Sequence, residues 1–153
     1  MSIKLQHSVV AQCKPEHVWR HFQDITRWPE SVPKVIGNAS WTEGEPWATG
    51  SKFQMKLLQP MPMYVKPEVK ECDAPTAVHW LAPGSAVQSE QWFTFDMQPD
   101  ETTTITARQE FSGPMTFMFG ETIQKQIVEM YAQWMDSLKQ QAEQTAREEA
   151  ARA

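Results

Sequence analysis

Apolar and polar residues alternate along residues 3–11, with Ile3, Leu5, His7 and Val9 on one parity and Lys4, Gln6 and Ser8 on the other. A period of two predicts a strand with one buried face. Beyond Lys14 the period lengthens. Pro15 suits a first helical turn, and Val18, Trp19, Phe22 and Ile25 recur at helical spacing, so 15–25 is expected to be a short amphipathic helix. Thr26 is placed to cap a second short helical piece through Trp28, Pro29 and Val32, ended by Pro33.

Strand patterns then follow one another. Residues 36–43 carry Ala39, Trp41 and Glu43 on one parity, and Phe53, Met55 and Leu57 oppose Lys52, Gln54 and Lys56. Residues 64–71 alternate again, but Pro67 inside that run argues for an edge or a bulge. Further strands are expected at 77–81, at 86–97 (Phe93, Phe95 and Met97 against Glu90, Trp92 and Thr94) and at 102–112 (Ile105, Ala107, Gln109 and Phe111 on one face). After Gly113-Pro114 the apolar positions 123, 127, 130, 131, 134, 138 and 142 form one helical stripe. The order is strand, two short helices, a meander of about six strands and one long helix, which is an α+β arrangement with the helix covering the apolar face of an antiparallel sheet. Residues 1–145 are expected to form a single domain, and 146–153, rich in Glu, Ala and Arg, a helix tail fraying into solvent.

Composition narrows the function. At 153 residues, 41% hydrophobic and 22% charged, the chain is a globular domain able to bury a core without disulfides or metal. A net charge of −5 and the lack of any Lys/Arg stripe exclude nucleic acid and anionic membrane surfaces as expected partners. Cys13 and Cys72 stand in no metal or redox spacing, no stretch is long enough to insert in a membrane, and the N-terminus has no signal-peptide pattern, so the expected location is cytoplasmic. Seven Trp and nine Met are many for this length, and such residues fill cores or line adaptable apolar cavities.

Several motifs carry a family resemblance. They are Pro15-x-x-Val18-Trp19, Ile25-x-x-Trp28-Pro29 with Val32-Pro33, Gly50-x-x-Phe53-x-Met55, Phe93-x-Phe95-x-Met97-x-Pro99, Thr104-x-Thr106 and Glu110-x-x-Gly113. In this order and spacing, over residues 3 to about 145, the chain resembles the START / Bet v 1-like (SRPBCC) superfamily, and within it bacterial polyketide cyclase/dehydrase-like members. The resemblance implies a helix-grip fold, a curved seven-stranded antiparallel sheet wrapped around the long C-terminal helix, with an apolar ligand such as a lipid or polyketide between them. It implies either binding alone or a cyclase/aromatase-type reaction, and supplies no catalytic motif to carry over.

Parity then selects the candidate residues. Trp41, Phe53, Met55, Trp80, Phe93, Phe95, Phe111, Met130 and Trp134 converge on the gap between sheet and helix, as a filled core or as the wall of a pocket. Gln91 and Gln109 put polar side chains on that inner face and need partners, from the protein, water or a ligand. Tyr131 lies on the helix stripe, where its hydroxyl serves as a ligand donor, an acid or the wet tip of a core residue. Tyr131, Gln109 and His79 are the candidates for chemistry, although His79 faces solvent unless a bulge reverses its strand. Glu90 is expected outside. His17 and His21, four apart on one helix, read as a solvated pair rather than a metal site, and no cofactor or metal is expected. The apolar run Met115–Phe119, whose Met118 is a further ligand-contact candidate, is expected to form a lid or mouth opposed by Met61-Pro62-Met63, or else a contact for a partner protein or a second copy of the chain. Monomer and homodimer both stay open. Trp92, on the outer parity, and Trp47, in a turn, have no place in this scheme.

Overall fold

The computed structural model describes residues 2–59 and 61–153. Strand β1 (Ser2–Ala11) leads into α1 (Pro15–Phe22), a single 3-10 turn at Ile25–Arg27 and α2 (Trp28–Ser31). Seven further strands follow, β2 (Ile36–Glu43), β3 (Lys52–Leu57), β4 (Met63–Val65), β5 (Glu68–Asp73), β6 (Ala77–Ala82), β7 (Gln88–Met97) and β8 (Thr103–Ser112), before α3 (Glu121–Arg152) closes the chain. The strands form one antiparallel sheet in the order β1-β8-β7-β6-β5-β3-β2, with β4 beside β3. This is the helix-grip arrangement. β4 and β5 are two pieces of one strand position, since Val65 pairs with Met55 and Glu68 with Lys52. The break falls at Pro67, which has no N–H to give to the ladder.

Alternation sets the inner face row by row. Leu5, Gln109, Gln91, Trp80 and Val69 are successive cross-strand neighbours, and His7, Ala107, Phe93 and Val78 form the next row. Along α3 the buried positions Ile127, Tyr131, Trp134, Met135, Leu138 and Ala142 follow the helical stripe onto that face.

Three local expectations are corrected. The first helix ends at Phe22, and the cap of the following turn is Asp24, whose carboxylate accepts from the Thr26 N–H at 3.2 Å, rather than Thr26 itself. The C-terminal segment is helical as far as Arg152, and α1 contacts its last turns. His17 Nε2 lies 2.8 Å from a Glu149 carboxylate oxygen, Arg20 donates to the other at 2.5 Å, and His21 Nε2 lies 2.7 Å from the Thr145 hydroxyl. His17 and His21 are therefore docking contacts between two helices and not a solvated pair.

Trp47 is a core residue that the strand and helix patterns miss. It sits in the β2–β3 turn with φ +66°, yet its indole is buried and donates to the Gln23 carbonyl at 2.9 Å. A large aromatic among Gly, Glu and Pro was the available signal, since turns seldom carry one without a burial site. Trp92 also finds a place, on the outer face, stacked on His79 at 4.6 Å with the Arg108 guanidinium 4.3 Å from its ring centre on the neighbouring strand.

Candidate functional site

The space inside the grip divides into two halves. Toward α1 and α2 it is filled by aromatic rings. Phe22 contacts Trp28, Trp47, Trp80, Phe93, Phe95 and Trp134 within 6.4 Å between ring centres. Trp41 and Phe53 extend the cluster toward β2 and β3. Trp41, Phe53, Trp80, Phe93, Phe95 and Trp134, all candidates for a ligand wall, spend their faces on one another. Trp28 adds a hydrogen bond to the Phe22 carbonyl at 2.8 Å, which satisfies an orphan acceptor at the end of α1.

The other half, at the sheet end where β1 starts and β8 finishes, has a different composition. Met55 and Phe111 are buried there, while Leu57, Val65, Phe119, Ile123 and Met130 are half-buried and packed against the core. Here the structure brings together three residues that the sequence singled out separately. Gln91 and Gln109 are direct cross-strand partners on β7 and β8, and Tyr131 of α3 reaches both with its hydroxyl. Gln91 is held firmly, since its Nε2 donates to the Arg108 carbonyl at 3.0 Å. Gln109 is held loosely, its Nε2 lying 3.4 Å from the Ser89 hydroxyl. Burial drives the Tyr131 phenol well above its ordinary pKa range, with a smaller opposing effect from Gln91, so the group is a neutral hydrogen-bond donor.

The structure does not bring His79 to this cluster. No bulge interrupts its pairing with β7, so it stays on the outer face, with Nε2 2.7 Å from a Glu90 carboxylate oxygen. Neither thiol is activated: burial and then Glu143 push Cys13 up to about 11, and burial raises Cys72. Among the described residues no group of three His, Cys, Asp or Glu is arranged to hold a metal ion, and no helix is long and apolar enough to cross a membrane.

Around the same end lies an apolar rim. Phe117 (69% exposed), Met118, Met115, Met61, Met63 and Tyr64 all present side chains outward. The 113–119 loop is tied to the β6–β7 loop by the Met115 N–H donating to the Ala86 carbonyl at 3.1 Å. Gly113 permits that approach: its φ is +120°, and a Cβ there would stand 2.5 Å from the same carbonyl oxygen. Two open grooves lie at the surface. One of about 600 Å3 is bordered by Leu5, Gln124 and Val128, and one of about 530 Å3 by Val10, Pro99 and Thr104.

Solved structures share this architecture. A hypothetical protein of Helicobacter pylori superposes with TM-score 0.78 at 12% identity, covering 92% of this chain and 88% of that one. The Zhui aromatase/cyclase from Streptomyces sp. R1128 gives 0.74 at 10% identity, covering 94% of each chain. Truncated norcoclaurine synthase from Thalictrum flavum gives 0.69 at 10% identity, covering 91% and 92%. Such identities speak for the fold alone. No curated protein matches the chain by sequence. The family described as polyketide cyclase / dehydrase and lipid transport does match, over residues 2–143, and the chain belongs to that family.

Proposed function

We propose that the protein binds an apolar small molecule between the sheet and the first turns of α3, entering past the 113–119 loop. The observation that carries this reading is the Tyr131–Gln91–Gln109 cluster. Three neutral polar side chains meet on an inner face whose other residues in the same row, Leu5, Trp80 and Val69, are apolar, beside the end of the grip rimmed by exposed Met and Phe. Binding pockets have this composition, a largely apolar wall with a few polar groups that orient the guest. The aromatic half offers rigid packing, whereas Met55, Met130 and Met118 have unbranched side chains that adjust to a guest at little cost. The family's lipid-transport and cyclase members support the same class of ligand.

Binding without catalysis fits these groups better than a cyclase-type reaction. A phenol with a raised pKa and two carboxamides orient a ligand but exchange protons poorly near neutrality. A cytoplasmic, reducing location suits the two unactivated free thiols.

The test is a titration with N-phenyl-1-naphthylamine, an apolar dye that brightens in apolar surroundings. Saturable one-to-one binding is expected, together with a retained small-molecule mass in native mass spectrometry of protein purified from cells. Dye binding that never saturates, with only the bare chain mass observed, would overturn the reading.

A further inference from the structure

We infer that the ligand is an uncharged molecule presenting a carbonyl or hydroxyl oxygen to Tyr131, and that Gln109 is the side chain that yields to admit it. The inference rests on the binding reading above and specifies the ligand for that same site.

Proton counting is the starting point. A phenol carries one proton, so Tyr131 donates to one carboxamide oxygen at a time, while the structure puts two within its reach. The two glutamines are not equivalent. Gln91 is buried, and its Nε2 is committed to the Arg108 carbonyl, which fixes its oxygen toward the phenol. Gln109 is half-buried and has only the distant Ser89 hydroxyl on its other side. Turning Gln109 over gives its Nε2 to the phenol oxygen and its carbonyl to Ser89. Swinging it away exposes both the phenol and a carboxamide. With Nε2 of the turned Gln109 donating instead to the oxygen of Gln91, its direct cross-strand partner, the phenol proton is free for a guest oxygen and no buried polar group is left unpaired.

The same cluster selects against charge. All three groups are neutral, and Phe93, Phe111 and the stripe of α3 surround them with carbon. A carboxylate brought here would lose its hydration and find no Lys or Arg in this row or the next, where His7 is the one basic side chain. Lys125, which borders the open groove between Leu5 and α3, is exposed.

The experiment uses three probes of nearly one shape: 2-acetylnaphthalene, 2-ethylnaphthalene and 2-naphthoate. Their dissociation constants with the full chain are measured by calorimetry. The ketone is expected to bind about five- to tenfold more tightly than the hydrocarbon, the gain of one good hydrogen bond, and the carboxylate more weakly than either. In Gln109→Leu and Tyr131→Phe the ratio of hydrocarbon to ketone constants should fall toward one. Equal binding of ketone and hydrocarbon by the unmodified chain, or tightest binding of the carboxylate, would overturn the inference while leaving an apolar site intact. If none of the three binds saturably, the binding reading fails and this inference with it. The comparison among probes needs no substitution, so a variant that does not fold leaves the test standing.

Discussion

Trp47 combines a left-handed backbone with a buried indole, two features that oppose each other in energy. The left-handed region costs a residue bearing a Cβ about 1–2 kcal/mol, and the contacts of the ring with Trp19, Phe22, Trp41 and Phe53 hold it there. Trp47→Ala should therefore destabilise the fold by about 3–5 kcal/mol. Trp47→Gly should be the more stable of the two variants by about 1 kcal/mol, since glycine relieves the backbone. Urea unfolding of both variants checks the order, and a more stable alanine variant would refute it. Tyr131 invites a second measurement at this scale. Because burial holds its phenol protonated far into alkali, spectrophotometric titration to pH 11 should form the same amount of tyrosinate in the wild type and in Tyr131→Phe. The phenylalanine variant should lose about 1–2 kcal/mol of stability, since Gln91 is left with an unpaired buried oxygen. Excess tyrosinate in the folded wild type would mean that the phenol reaches water.

At the scale of elements, the docking of α1 on the last turns of α3 depends on pH. His21 has a lowered pKa, first because it is buried and then because Arg27, Arg20 and His17 are positive neighbours. Its native form is neutral, so stability is full above the ordinary histidine value of 6.5 and declines as the pH falls from there toward the native value. Glu149 also has a lowered pKa, through its bonds to His17 and then Arg20, and its contribution is lost as pH falls from the ordinary carboxylate value of 4.5 through the native one. Both effects loosen the clamp in acid. Amide exchange at residues 143–152, corrected for intrinsic rate, should speed up on going from pH 7.5 to 5.5 and again toward pH 4, while β7 and β8 stay protected; an unchanged tail would sink this account. The clamp also marks where sequence patterns stop being informative. Strands β1, β3, β7 and β8 were legible because alternation depends only on neighbours in the chain, and the α3 stripe because its period is local. Thr145 and Glu149 look like solvated tail residues until α1 is placed beside them, more than a hundred residues away in the chain. The polar cluster was half legible in the same way. Parity put Gln91 and Gln109 on the inner face and Tyr131 on the stripe, but their meeting depends on strand register and helix position, which no local period encodes.

Seen as a whole, the molecule is stiff at one end of its grip and soft at the other. The stiff end is an aromatic cluster in which Phe22, Phe53, Phe93 and Phe95 are fully buried, and removing a ring there leaves a hole that close-packed neighbours fill poorly. Phe93→Ala should cost about 3–5 kcal/mol. The soft end is bounded by Phe117, Met118, Met61 and Met63, which stand largely in solvent and contribute little burial to the native state. Replacing Phe117 and Met118 together by Ser should therefore leave the melting temperature nearly unchanged, since surface substitutions of this kind stay within about 0.5 kcal/mol. If this rim is the mouth of the site, the same double variant should bind N-phenyl-1-naphthylamine more slowly, because the apolar surface that first captures the dye is gone. Stopped-flow fluorescence separates association from dissociation, and sedimentation of the same samples reports association between copies of the chain. A slower association rate with unchanged sedimentation identifies the rim as the entrance. Unchanged association with a shift from dimer to monomer identifies it as a contact between copies, because an exposed apolar patch serves either purpose and only the kinetics distinguish them.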